Sequence, residues 1–225
     1  MHLIYRNLCV TLLLSTCLTY LMPDAEGQSA AKSNLRAGVA KVDITPAEVK
    51  ELEVVGHRRK VTGVRDPLRA GVLVLDDGQT KAAIVTLDLI GAYTEIVKPA
   101  RAQIEKETGI PAANIMVAAS HNHSGPGFDA NSAWGKELIA KLGAAAKQAA
   151  SKMTPVTVGY GEDKIGFSIN RRKVINGRAV VRLNEDGPND PRVKVLRFDD
   201  GKSLTPVAVL MHAVCHPCFF TWGDK

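Results

Sequence analysis

Aromatic residues are scarce in this sequence: Phe, Trp and Tyr together make up 5% of its 225 residues. No stretch interleaves them with Lys and Arg, as the stacking platforms of nucleic-acid-binding proteins require. The formal net charge of +6 therefore does not predict a nucleic-acid partner. We expect basic side chains on a solvated face, with at most transient contact with anionic membrane surfaces.

Several other features are missing, and each absence narrows the function. The sequence has no P-loop, which argues against nucleotide binding of that class. It has no internal repeats and no long linker, so one domain is expected. Apolar residues at 45% and charged residues at 23% are typical of a globular chain rather than a disordered one.

The longest apolar run, residues 8–22, is shorter than the roughly 20 residues that cross a bilayer. It follows Arg6 and precedes Ala25 and Gly27, small residues at the positions of a cleavage site. This pattern predicts a signal peptide and an exported protein, periplasmic or secreted. The predicted division of the chain is a signal peptide over residues 1–27, a flexible lead-in over 28–34 and one folded domain over 35–225.

Hydrophobic periodicity beyond residue 35 predicts an α/β (α+β) fold with a mixed sheet flanked by helices. Asp76-Asp77-Gly78 is typical of a hairpin turn between two strands. Thr94 is expected to cap the first helix, which Gly109 ends. The predicted strands cover residues 71–75, 82–87, 115–119, 156–160, 193–198 and 207–211, and the predicted helices cover residues 94–108 and 135–153.

The strongest chemical signal is Ser120-His121-Asn122-His123-Ser124-Gly125-Pro126-Gly127, directly after the predicted strand 115–119. In an extended segment, residues i and i+2 point the same way, so His121 and His123 are expected to face one pocket. Two imidazoles at this spacing suit Zn²⁺, either as two ligands or as one ligand and one acid/base.

A second signal, His212-Ala213-Val214-Cys215-His216-Pro217-Cys218, follows the predicted strand 207–211. His216 is the candidate for a distant third nitrogen, whereas His212 is expected to be structural. Cys215 and Cys218 have the spacing of a redox pair. A thioredoxin-like motif should open a helix, so a disulfide or two inert thiols is the favoured interpretation.

Two further residues are candidates for the same pocket. Arg171, in Asn170-Arg171-Arg172, can bind a carboxylate or stabilise a developing oxyanion. Asp88 ends the predicted strand 82–87, where it either orients a ligand histidine or caps a turn.

Several segments, in order, resemble the neutral/alkaline, non-lysosomal ceramidase family. The resembling segments are residues 37–46, 66–75, His121-Asn122-His123-Ser124-Gly125-Pro126, Ile169-Asn170-Arg171 and His216-Pro217. The resemblance covers residues 35–225 and implies a zinc hydrolase that cleaves the N-acyl bond of ceramide to sphingosine and fatty acid. It implies His121 and His216 as zinc ligands, His123 as acid/base, and Arg171 as a group that binds substrate or steadies the oxyanion.

The family's zinc site also uses a glutamate and a tyrosine that lie farther downstream than residue 225. We therefore expect the sequence to correspond to the N-terminal, truncated part of such a catalytic domain. Two alternatives stay open: an inactive ceramidase-like remnant that binds lipid, and a thiol–disulfide oxidoreductase that uses Cys215 and Cys218.

Overall fold

The computed structural model describes residues 34–55 and 60–216. The predicted signal peptide, the predicted lead-in up to residue 33 and the Cys218 half of the C-x-x-C motif lie outside the described residues. The domain boundaries and the export prediction therefore stay predictions.

The described residues form nine strands, two α-helices and a short 3₁₀ turn at Ala112–Asn114. The strands are β1 (Arg36–Asp43), β2 (Arg69–Asp76), β3 (Lys81–Leu87), β4 (Ile115–Ala119), β5 (Thr154–Lys164), β6 (Arg172–Ile175), β7 (Arg178–Val181), β8 (Arg192–Asp200) and β9 (Pro206–Ala213). The helices are α1 (Thr94–Thr108) and α2 (Ala133–Ser151).

Seven of these strands form one mixed sheet in the order β4-β3-β2-β1-β5-β8-β9. Only β3 and β4 run parallel, and α1 lies in the connection between them, as a parallel crossover requires. The other neighbours in the sheet are antiparallel. The predicted α/β fold with a mixed sheet and flanking helices is confirmed.

Both helices pack on one face of β1–β4, where they bury the main hydrophobic core. Alternate residues of β2 and β3, such as Val72, Val74 and Val85, meet the apolar stripes of the helices, including Ile104 and Leu142. This is the burial pattern that period-2 strands and period-3.6 helices produce when they share one core.

Most predicted elements are confirmed, with small corrections at their ends. The turn at Asp77 joins β2 to β3, and its carboxylate accepts hydrogen bonds from the backbone N–H of Thr80 (2.7 Å) and of its neighbour Gln79 (2.9 Å). Helix α1 ends at Gly109, which is left-handed at φ 71°. The prediction that Thr94 caps this helix is wrong, because Tyr93 is the N-cap and its carbonyl accepts the first helical bonds. Helix α2 begins two residues earlier than predicted, after Ser132, whose hydroxyl accepts from the N–H of Gly135.

The other face of β1–β3 is covered by the second half of the sheet. Strand β5 pairs with β1 only at its first two residues and then pairs with β8 along the rest of its length. A second hydrophobic cluster joins Leu73 of β2 and Ala37 of β1 to Phe198 of β8 and Leu210 of β9. The sheet therefore turns at β5, and β9 comes back over β1.

Strands β6 and β7 form a separate hairpin that was not predicted. Its turn is Asn176-Gly177, with φ of 51° and 74°, and this dipeptide is the strongest short-range hairpin signal in a sequence. In the part of the chain that the structure describes, no helix has both the length and the apolar character needed to cross a membrane.

Candidate metal centre

Three histidines from two distant segments of the chain meet at one end of the sheet. His121 and His123 lie in the loop after β4, and His216 lies three residues after the end of β9. Strands β4 and β9 are the two opposite edges of the sheet. The turn at β5 brings these edges together, so the site depends on how the sheet curves.

The three imidazoles face one another through their Nε2 atoms. His123 Nε2 lies 3.2 Å from His121 Nε2 and 3.0 Å from His216 Nε2. The three possible ligand atoms all lie within 4.8 Å of one another. His121 is exposed, whereas His123 and His216 are half-buried, so the cluster is open to solvent on one side.

His121 reaches the cluster through an unusual backbone conformation. Its φ is 62°, so the extended segment predicted from His121 to His123 is wrong at its first residue. The ring is fixed by its Nδ1, which lies 2.7 Å from the carbonyl oxygen of Ile90. Because a carbonyl can only accept, Nδ1 carries the proton and the Nε2 lone pair faces the other two rings.

Asp88 holds the loop rather than a histidine ring. One of its carboxylate oxygens accepts from the backbone N–H of Arg69 (3.0 Å), and the other accepts from the hydroxyl of Ser120 (3.3 Å). These bonds tie the end of β3 to the start of β2 and to the loop after β4, so neither of the two interpretations left open for Asp88, the orienting of a ligand histidine or the capping of a turn, is confirmed. The partner that orients His121 is the Ile90 carbonyl, a backbone group that no sequence pattern indicates.

The environment of His216 favours a neutral imidazole. Burial is the largest cause that holds the pKa of His216 below its ordinary value, and the positive charge of Arg171 adds to it. The buried Nδ1 of His216 has no hydrogen-bond partner within the described ranges, so the ring makes its polar contact through Nε2. Arg171, predicted to share the pocket, is close enough to act on this ring electrostatically.

The loop that carries Arg171 is fixed by side-chain amides. Asn170 accepts from the backbone N–H of Arg172 (2.8 Å) and donates to the carbonyl of Pro188 (2.7 Å). Asn184 donates to the carbonyl of Arg172 (2.8 Å). The Asn170-Arg171-Arg172 segment was predicted as part of the site, whereas Asn184 was not, because no local motif marks it.

Two further residues of the second motif, His212 and Cys215, are not members of the cluster. His212 lies in β9, where it is exposed and pairs in register with Lys194. Cys215 is half-buried, and its sulfur lies 3.5 Å from the carbonyl oxygen of His216. Whether Cys215 forms a redox pair stays untested, because Cys218 is outside the described residues.

The donor set fits a borderline-soft metal ion such as Zn²⁺. Ligands of a tetrahedral zinc ion at Zn–N distances of 2.0–2.1 Å lie about 3.3 Å apart, close to the two Nε2–Nε2 distances given above. In a neutral imidazole, an N–H at Nε2 can donate a hydrogen bond to only one neighbour. Three Nε2 atoms that face one another are therefore better satisfied by a bound cation than by hydrogen bonds alone. Histidine nitrogen is a preferred ligand of zinc.

Comparison with solved structures supports a ceramidase-like fold. The chain is similar to neutral ceramidase from Pseudomonas aeruginosa, with a TM-score of 0.64 and 22% identity over 79% of this chain and 31% of that one. It is similar to a ceramidase complexed with C2 at a TM-score of 0.63 and 22% identity, over 79% of this chain and 30% of that one. The chain thus spans about a third of the length of these structures. No family model and no curated protein sequence matches the chain.

Proposed function

We propose that this chain is part of an exported, zinc-dependent amide hydrolase that cleaves the N-acyl bond of ceramide to give sphingosine and a fatty acid. The observation that carries the proposal is the convergence of three imidazole Nε2 atoms at 3.0 and 3.2 Å on a fold similar to that of neutral ceramidase. The order of the sequence motifs supports the same substrate class.

In this proposal His121 and His216 hold the metal through Nε2. When bound, zinc would supply Lewis acidity toward an amide carbonyl and would lower the pKa of water at the site. The hydrogen bond from His121 Nδ1 to Ile90 sets the tautomer and the orientation of that ligand, as carbonyl partners of ligand histidines do.

The other two residues act on the substrate. His123, whose Nε2 lies 3.2 Å from that of His121 and 3.0 Å from that of His216, would donate a proton to the departing amide nitrogen, the role that the family resemblance implies. The Arg171 guanidinium, close enough to act on His216, would bind the oxygen that gains negative charge. The loop that carries Arg171 is already held by hydrogen bonds. The guanidinium is therefore a fixed cation, which suits it to this task.

The first experiment measures zinc per chain in the purified parent protein and in three variants. We expect about one zinc per parent chain and its loss in His121→Ala and His216→Ala, since each removes one proposed ligand. His212→Ala is the matched control, because His212 is an exposed histidine of β9 outside the cluster. Equal zinc content in all four proteins would contradict the proposed ligands.

The second measurement is the release of fatty acid from ceramide with and without a chelator. We expect release that the chelator abolishes. Bound zinc without any release would favour the inactive lipid-binding alternative. Reduction of a disulfide substrate that resists the chelator but is lost in Cys215→Ser would favour the thiol–disulfide oxidoreductase instead.

A further inference from the structure

The β6–β7 hairpin and its flanking loops present apolar side chains directly to solvent. We call residues 164–184 the basic hairpin surface. Val174 is 70% exposed, Val181 64% and Leu183 58%. The flanking loop adds the half-exposed Phe167 and Ile169. Large exposed apolar side chains that cluster in this way mark interaction surfaces more often than scattered ones do.

The same surface carries positive charge only. It contains six cationic side chains and no acidic one, and acidic residues appear just beyond its ends. None of the six forms an ion pair within residues 34–55 and 60–216. The six are Lys164, Arg171, Arg172, Lys173, Arg178 and Arg182.

The register of the hairpin places apolar and cationic side chains side by side on both of its faces. Arg172 lies opposite Val181 on one face, and Ile175 lies opposite Arg178 on the other. A bilayer interface accepts this mixture, because valine and isoleucine enter the head-group boundary while Arg and Lys meet anionic lipid phosphates. A polyanion such as a nucleic acid would use the cations but leave the apolar side chains in water.

The basic hairpin surface includes Arg171, a candidate residue of the metal centre. Arg171 directly precedes β6. Asn170 and Asn184 tie the loop of Arg171 to the two strands through backbone groups. A membrane that holds the hairpin therefore also holds the loop of Arg171 in place.

We propose that the basic hairpin surface docks on anionic lipid membranes and keeps the candidate metal centre at the lipid surface. The advantage to catalysis rests on the proposed function, since ceramide is a membrane lipid, but the docking itself does not. The contact is electrostatic in part, so it weakens as salt shortens the range of charge attraction.

The test measures binding of the full chain to phosphatidylcholine vesicles with and without phosphatidylserine. In the charge variant, Arg172, Lys173 and Arg178 become Gln, and we expect its partition into the anionic vesicles to fall by about a hundredfold, at roughly fivefold per cation. In the control variant, the exposed helix residues Lys98, Lys106 and Lys136 become Gln, and we expect little change.

A second pair of variants tests the apolar part. Val174→Ser with Val181→Ser should lower the partition by about tenfold. Val209→Ser with Met211→Ser, on similarly exposed residues of β9, should not. Every variant keeps the same apolar residues 8–22, so the test needs a readout at the hairpin itself. Hydrogen exchange supplies it: vesicles should slow the exchange of backbone amides in residues 172–181 and not in α2.

Docking would be overturned if the hairpin and control variants bound alike, or if vesicles left exchange in residues 172–181 unchanged. If vesicle binding falls in the charge variant but not in the valine variant, the surface would be assigned to a polyanion instead. Hydrolysis of a dissolved short-chain N-acyl amide separates the two proposals. Turnover without vesicle docking overturns only the docking, and docking without turnover overturns only the amidase function.

Discussion

A single backbone angle decides how the two histidines after β4 meet. His121 adopts a left-handed conformation, φ 62°, which non-glycine residues adopt uncommonly, although His, Asn and Asp do so more often than the others. The neighbouring chain holds it there: the N–H of Ser120 donates to Leu87, and the N–H of Asn122 donates to Leu89. Strained positions of this kind are concentrated at functional sites, which agrees with a ligand role for His121.

At the same scale, His123 is the residue whose role is most sharply testable. If His123 is the acid/base, His123→Ala should keep its zinc and lose about 10²- to 10⁴-fold in turnover, whereas His121→Ala should lose both. Zinc content and turnover are measured on the same preparations. Loss of zinc in His123→Ala would make His123 a third ligand, and unchanged turnover would remove it from the mechanism.

At the scale of elements, the packing of α2 on β1 depends on a glycine. A Cβ placed on Gly38 would lie 2.0 Å from the carbonyl oxygen of Ala149 and 2.9 Å from Met153. The first contact is with helix backbone, which cannot move aside as a flexible side chain can. The helix approaches the strand this closely only because residue 38 has no side chain.

We therefore expect Gly38→Ala to lower the free energy of unfolding by about 1–3 kcal/mol or more, since α2 must shift away from the strand. Gly159→Ala is the matched control: Gly159 also lies in a strand, β5, and its Cβ would meet nothing within 4 Å. Denaturant unfolding of the three proteins checks this. A Gly38→Ala variant as stable as the control would show that the close approach is not required.

At the scale of the whole described domain, the candidate metal centre depends on the second hydrophobic cluster. Phe198 of β8 is 3% exposed and packs with Leu73 of β2 on the face opposite the helices. This cluster holds β8 and β9 over β1 and so places His216 beside His123. Among the described residues, the main core under the helices includes no residue of β8 or β9.

Phe198→Ala should cost about 3–5 kcal/mol of unfolding free energy and Ile104→Ala, in the main core, about 2–5 kcal/mol. Only Phe198→Ala should also weaken zinc binding, on the order of tenfold, because it loosens the placement of β9. Unfolding curves and zinc titrations are measured where both variants are folded. Equal loss of zinc affinity in both variants would contradict the link between this cluster and the site.

Much of the local structure was determined by the sequence alone. Strand β4 and helix α1 have the predicted bounds, and the turn at Asp77 and the stop at Gly109 are where the residues indicate. These features depend on periodicity and on residues a few positions apart, which is information that a single sequence carries. The Asn176-Gly177 dipeptide also indicates a hairpin from local sequence. That hairpin was not predicted, because its flanking strands are short and exposed.

The assembly of the site was decided by tertiary structure. His123 and His216 are separated by 93 residues and follow strands at opposite edges of one sheet, so only the turn of the sheet at β5 brings them into contact. The partner of His121 is a backbone carbonyl, which every residue possesses and no motif distinguishes. Residue identity thus indicated which side chains carry the chemistry, whereas the curvature of the sheet decided that they meet.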